Sequence, residues 1–243
     1  MIKFFRKIRQ KLLSDGKLSK YLFYAIGEIV LVVIGILIAL QINNWNEHQK
    51  NREKEKIYLI EVKKNLESDL QNEIKPAINF LSERVKMDNI LRENFFTIEN
   101  PTISHDSINK LIIDFAKEWD LVLNTTGYSN IMSIGMDIIT NNSIRNDISN
   151  LYNYEYKFVT IAENECAKYK VERFAPLLEE FFGLPEFMPT HELKKLDVVF
   201  RTQQSVFAKS RYIKQRIYTL KNVKPKVEQL IMNIEVEIEN LQN

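Results

Sequence analysis

Cysteine, histidine, glycine and proline are all scarce in this sequence, and each shortage excludes something. Cys166 is the only cysteine, so no internal disulfide can form. The three histidines, His48, His105 and His191, are far apart, and with a single thiol they assemble no zinc or thiol-redox motif by spacing. Six glycines and six prolines in 243 residues are too few for the turns of a sheet protein, which favours helices. No phosphate-binding loop and no nucleophile–base pair stands out. Ser104, His105 and Asp106 are consecutive, which cannot give triad geometry, and His105 reads as a helix-start residue. The sequence offers no catalytic, cofactor-binding or metal-binding residue and reads as non-enzymatic.

A basic face is missing as well. The formal net charge of +2 hides an asymmetry, because residues 1–20 carry seven cations (Lys3, Arg6, Lys7, Arg9, Lys11, Lys17, Lys20) against Asp15 alone. That segment nets +6, so the remainder nets −4. A mildly acidic bulk argues against a nucleic-acid partner.

What the sequence does have is one long apolar run. Tyr21 to Leu40 is twenty residues with Glu28 as the only charge, enough to cross the roughly 30 Å hydrocarbon core at about 1.5 Å per residue. Tyr21 and Tyr24 mark one interface, and Trp45, in the polar "QINNWN", marks the other. The order basic, apolar, polar also fits a cleaved signal peptide. Ala39-Leu40-Gln41 lacks the small last residue that cleavage needs, so the reading is an uncleaved signal anchor. The positive-inside rule keeps residues 1–20 in the cytoplasm and puts the bulk on the other side. Ile2, Phe5, Ile8 and Leu12 give that basic segment an amphipathic face suited to the lipid surface.

Beyond a stalk at 43–57, apolar residues recur at helical spacing from Leu59 through Val62, Leu66, Leu70, Ile74, Ala77 and Leu81 to Phe95, with a kink expected at Pro76. Short helices are expected at 107–120 and 128–140, and a long one at 143–182, rich in Tyr and Phe. In it Tyr152, Tyr154, Tyr156 and Phe158 spread around the circumference as core and rim, and Glu163 and Glu165 beside Cys166 read as a solvated face. "GLPEFMPTHE" is a loop. The last helix carries Ile213, Ile217, Leu220, Val227, Ile231, Ile234, Ile238 and Leu241, a heptad seam. The first and last helices should pack antiparallel, with Leu70 level with Ile231. The fold class is all-α: a transmembrane helix (21–42) continuing into an antiparallel helical bundle (58–243).

Two stretches carry a resemblance. "MIKFFRKIRQKLL…KYLFYAIGEIVLVVIGILIALQINNWNE" and "NTTGYSNIMSIGMDIITNNSIRNDISNLYNYEY" resemble an uncharacterised, domain-of-unknown-function family of single-pass bacterial membrane proteins, with the block "GEIVLVVIGILIALQINNWNE" the more specific signal. The resemblance covers the whole chain. It implies a protein of the bacterial inner membrane, N-terminus cytoplasmic and helical domain periplasmic, and it supplies no activity.

Glu28 is the residue with a sharper chemical story. An ionised carboxylate about seven residues inside a span costs about 2.5–3.5 kcal/mol, so it should be neutral, paired or facing a partner. Gly27, Leu31, Gly35 and Ala39 form a stripe at steps of four beside it, where another helix can approach closely. Glu28 then serves a homo-oligomer, docks another inner-membrane protein, or couples to protons. The functional expectation is a membrane-anchored scaffold or sensor working through protein contacts, with the lipid bilayer as its other partner. The alternative is an accessory subunit of a proton- or ion-coupled envelope complex that uses Glu28.

Overall fold

The computed structural model describes residues 18–94, 104–182 and 196–241, apart from the side chains of 18–21, 24, 105, 181–182 and 196–199. Every regular element among the described residues is helical, so the fold is all-α. The basic segment up to residue 17, the expected helix end at Phe95 and the loop at 183–192 lie outside the described residues. The chain divides into two units, Met1–Lys54 and Glu55–Asn243.

The described part of the first unit is helical throughout. Helix α1 (Leu18–Ser68) includes the apolar run, which is long and apolar enough to cross a membrane by length and composition. Its large side chains turn outward: Leu31 is 72% exposed and Trp45 65%.

In the second unit, α1 buries Leu59, Val62 and Leu66 and passes into a wide π turn (Asp69–Ile74), then α2 (Lys75–Asn94). The turn lies just ahead of Pro76. Proline has no N–H, and its ring would press on the carbonyl of Asn72 in a regular helix. One extra residue relieves that clash, with Lys75 N–H bonding five residues back to Leu70. A second such turn, Lys170–Phe174, precedes Pro176 in the same way. Pro225 instead lies inside an unbroken helix.

Helix α3 (His105–Ala116) starts where Ser104 accepts from Ser107 N–H at 3.3 Å, and stops four residues short of the expected end. From Lys117 to Thr125 the chain is non-helical. Trp119, Leu121 and Leu123 pack on the core while Val122 is 69% exposed, an alternation of period two that no helix can satisfy. Helix α4 (Thr126–Ile134) also ends earlier than expected, at Gly135, whose φ of +107° only glycine adopts readily. A short 3₁₀ turn (Met136–Ile138) follows. Asn141 then caps α5 (Asn142–Asn150), its side chain accepting from Ser143 and Ile144 N–H. α5 runs through a π turn (Leu151–Glu155) into α6 (Tyr156–Tyr169), and through Lys170–Phe174 into α7 (Ala175–Phe182).

Helix α8 (Leu196–Asn240) packs along α2 and α6. Lys63 bonds Glu235 at 2.7 Å and Ser210 bonds Asp88 at 2.6 Å, so α8 runs antiparallel to the α1–α2 rod. That register sets Leu70 level with Glu228 (seven residues on from Lys63 and seven back from Glu235), about one turn from Ile231. The seam of α8 is also shifted. Its buried positions Thr202, Val206, Lys209, Ile213, Arg216, Leu220, Val223, Val227, Leu230 and Ile234 follow alternating steps of four and three, with Ser210 buried beside them. Ile217, Ile231 and Ile238 flank this seam, partly buried. Of the expected seam residues, Ile213, Leu220, Val227 and Ile234 are buried, while Ile217 and Ile231 each stand one residue past the buried position, which is Arg216 at the first and Leu230 at the second.

Candidate functional site

Two cations of that seam meet the stretch between α3 and α4. Lys209 and Arg216 are 1% and 2% exposed, and ions so deep in a bundle require partners. Lys209 Nζ donates to the Ala116 carbonyl at 2.9 Å and lies 2.7 Å from Glu118 Oε1. It also sits over the Phe174 ring, 4.5 Å from the centroid. Arg216 uses its whole fork: Nη1 to Glu118 Oε2 at 2.9 Å, Nε to Glu163 Oε1 at 2.8 Å, and Nη2 to the Trp119 carbonyl at 2.7 Å. Two cations thus face two carboxylates. Burial lowers the Lys209 ammonium below its ordinary range, opposed by Glu118, and raises the Glu163 carboxyl, opposed by Arg216.

Carboxylates hold the same segment from the other side. Glu73 Oε2 accepts from Trp119 Nε1 at 3.4 Å and from Val122 N–H at 3.2 Å. Asp69, four residues earlier, takes Asn124 N–H at 2.8 Å with one oxygen and the Tyr156 hydroxyl at 3.0 Å with the other. The π turn supplies both residues. Burial pushes Asp69 up to about 6, against the hydrogen bonds from Asn124 and Tyr156 and helped by Glu73. Residues 116–124 are therefore a strap with its carbonyls on cations and its amides on carboxylates.

Between the strap and α6 lies an open groove of about 500 Å³, with Leu121, Leu123 and Thr125 on one wall and Tyr152, Tyr156, Val159 and Glu163 on the other. Tyr152 stacks on Tyr128 at 4.6 Å and meets Tyr156 edge-on at 5.2 Å. Tyr152 and Tyr156 are buried while Tyr154 and Phe158 are exposed, as core and rim.

The expectation of a solvated face around Cys166 is corrected. Glu165 is exposed, but Glu163 turns inward to Arg216 and Cys166 is 2% exposed, its Sγ 3.9 Å from Arg216 Nη1. Burial raises the thiol, chiefly, and Glu118 adds to the shift, so the sulfur is held protonated and unreactive. The cluster's charges are matched to one another, which suits positioning a backbone rather than attacking a substrate. No three His, Cys, Asp or Glu side chains among the described residues converge to hold a metal.

The residues singled out in the apolar run lie on α1 in the first unit. A Cβ on Gly27 or Gly35 would meet nothing within 4 Å, and Leu31 is exposed. Glu28 is half-exposed beside it, on the same helix as Ala39. Trp45 is exposed, and the side chains of Tyr21 and Tyr24 lie outside the described residues. The sequence reading missed Asp69, Glu118, Lys209 and Arg216. The available signal was the seven-residue spacing of Lys209 and Arg216, in phase with the apolar Val223 and Leu230.

Residues 28–184 match the family of unknown function DUF6090, a shorter span than the whole chain that the resemblance implied. The match begins at Glu28 and takes in the π turn, the strap and α6, but ends before α8, so Lys209 and Arg216 lie beyond it. No curated protein and no solved structure matches the chain.

Proposed function

We propose that this chain, which belongs to that family of unknown function, is a single-pass protein of the bacterial inner membrane whose periplasmic helical domain acts through contacts with other proteins, as a scaffold or sensor. The observation that carries the reading is the outward apolar surface of α1. From Leu22 to Ile42 its large side chains are 47–77% exposed, an area that water alone does not favour leaving uncovered and that a bilayer covers. The +6 segment before it supports a cytoplasmic N-terminus, and the acidic remainder fits neither nucleic acid nor a second anionic surface. The reading is non-enzymatic: the polar cluster of the helical domain is spent on internal pairs. The partner within the bilayer is a second copy or another inner-membrane protein, seated on Gly27, Leu31, Gly35 and Ala39.

One feature favours a second reading, an accessory subunit of a proton- or ion-coupled envelope complex. Glu28 places a carboxylate within the apolar surface, where it is costly unless used.

The experiment is photo-crosslinking in native membranes from a reactive residue at Leu31 and another at Phe158, followed by identification of the adducts. A protein adduct at either position supports the reading, and lipid alone at both overturns it. Orientation is read separately, in a Cys166→Ser background in intact spheroplasts. Asn51→Cys should react with a membrane-impermeant maleimide and Ser14→Cys should not.

A further inference from the structure

The two halves of the strap are held by different chemistry. The first half is bound by cations: Lys209 and Arg216 take the carbonyls of Ala116 and Trp119 and share the Glu118 carboxylate. The second half, residues 120–125, has no cation on it. Among the described residues, its bonds to distant parts of the chain are Val122 N–H to Glu73 at 3.2 Å and Asn124 N–H to Asp69 at 2.8 Å. No residue of that half is fully buried, and an open groove borders it at Leu121, Leu123 and Thr125. Few buried contacts, with two side chains holding the backbone, make a segment that can open locally.

The two carboxylates are themselves poorly compensated. Asp69 is 2% exposed, and among the described residues no cation pairs with it or with Glu73. Lys75 follows the π turn but bonds neither, and on α1 Lys63 and Glu67 pair at 3.7 Å. From α8, which packs on the turn, Lys224 and Glu228 lie at that level and pair with each other at 3.7 Å. The helix opposite brings Tyr152 and Tyr156, both held neutral by burial, while its Glu155 is taken by Lys226 and its Lys157 is exposed. Helix α4 carries no charge. On the strap, Lys117 pairs with Asp114, and Asp120 adds only negative charge. A buried carboxylate beside a second one is destabilised by its own charge, which either a proton or a swing into water relieves.

We propose that Asp69 and Glu73 form a proton-operated latch on the strap. A proton on the pair keeps residues 120–125 closed on the π turn, and its loss frees that half while Lys209 and Arg216 keep the other half in place. Either form of the Asp69 carboxyl can bond both Asn124 N–H and the Tyr156 hydroxyl, so the proton changes the cost of burial rather than the number of hydrogen bonds. Opening takes Leu121 and Leu123 off the core and uncovers the wall of Tyr152, Tyr156 and Val159. The helical domain thus presents a different surface above the transition than below it.

The direction follows from burial. Asp69 titrates at about 6 in the closed form and at 3.8 once it reaches water, so the closed form holds a proton that the open form has lost. Opening therefore becomes easier as pH rises, by about tenfold from pH 5 to pH 8. The latch goes beyond the reading as a scaffold or sensor and holds whichever protein the chain contacts.

The test is hydrogen exchange of the full chain in detergent micelles, read at single amides and divided by the intrinsic rates. Val122 and Asn124 should lose about tenfold in protection from pH 5 to pH 8. Urea up to about 1 M should leave their exchange unchanged, because a local opening exposes little surface. The amide of Val223, deep in α8, should be far better protected and should respond to urea. Asp69→Asn keeps an acceptor for Asn124 N–H and should remove the pH dependence at both strap amides. Glu73→Gln keeps an acceptor for Val122 N–H, takes away the neighbouring charge, and should move the transition to lower pH. The wild-type profile and Glu73→Gln decide the matter if Asp69→Asn does not fold. Exchange of Val122 and Asn124 only through the urea-dependent opening shared with Val223 overturns the proposal, and so does wild-type protection that is independent of pH. A transition that survives Asp69→Asn, or that Glu73→Gln leaves in place, overturns it as well.

Discussion

Lys209 and Arg216 lie seven residues apart on α8 and close on the two oxygens of one carboxylate, Glu118, at 2.7 and 2.9 Å. Further along the helix the same seam position is filled by Val223 and Leu230. The seam thus changes from apolar to charged along its length, and the charged part meets the strap together with Glu163 of α6.

Removing one member of this cluster should cost more than the pair contributes, because it strands the partner charges. Arg216→Met leaves Glu118 with Lys209 alone, Glu163 without its cation, and the Trp119 carbonyl unpaired. A loss of about 3–5 kcal/mol is expected in urea unfolding of the full chain in detergent. Arg216→Lys should recover little of it, since an ammonium cannot reproduce a fork that bonds Glu118, Glu163 and Trp119 together. Full recovery by lysine would show that charge alone matters here.

At Gly127, α4 lies close against the backbone of α1. A Cβ there would stand 3.0 Å from Asn65 Nδ2 and 3.1 Å from the backbone N of Val62, and backbone cannot swing aside. Gly127→Ala should destabilise by about 1–3 kcal/mol, as overpacking does. Gly35→Ala, with nothing within 4 Å, should leave stability of the helical domain unchanged. Equal melting temperatures for both variants would contradict the packing described.

Asp69 gives the domain a pH dependence of definite sign. Its carboxyl titrates near 3.8 in a model chain and about 6 in the fold, so between those values the native state holds a proton that the unfolded chain has lost. Stability from this group is present in full below the lower value and declines as pH rises through the upper one, by at most about 3 kcal/mol. Asp69→Asn keeps an acceptor for Asn124 N–H and removes the titration. The slope of unfolding free energy between pH 4 and 6 should then flatten, and an unchanged slope would assign it to other groups.

Cys166 should be silent toward thiol reagents in the folded protein, being 2% exposed with its thiol shifted upward by burial. Maleimide should label it only after denaturation. Rapid labelling of the native protein would place the sulfur at the surface.

What could be read from sequence tracks where one rule decided the outcome. Helical periodicity found Leu59, Val62, Leu66, Ile74, Ala77 and Leu81, because each is an apolar side chain buried in the core at the spacing of one helix face. The same rule failed at Lys117–Thr125, where Asp69, Glu73, Lys209 and Arg216 satisfy the backbone from distant parts of the chain. No local pattern records such partners. It also failed on α8, where counting only apolar residues replaced Arg216 by its neighbour Ile217 in the seam. Charge seven residues from charge, in phase with Ile213 and Leu220 one step away, was the legible clue. Glu163 was misjudged for the same reason: i, i+2 spacing separates it from Glu165, but nothing local says which of the two faces inward.

The remaining prediction concerns the stripe on α1. Small residues admit a neighbouring helix because its backbone can come close, so filling the stripe should act by steric exclusion. Gly35→Ile should weaken self- or partner association in a membrane two-hybrid assay. Glu28→Gln should leave association nearly unchanged, since a protonated carboxyl and an amide can both donate a hydrogen bond across the contact. The same variant should abolish function while sparing association if Glu28 carries protons, because an amide cannot release one. If Gly35→Ile and Glu28→Gln both leave association at the wild-type level, no helix docks on this stripe. Glu28 then only reaches toward the lipid headgroups, and the contacts that matter belong to the helical domain.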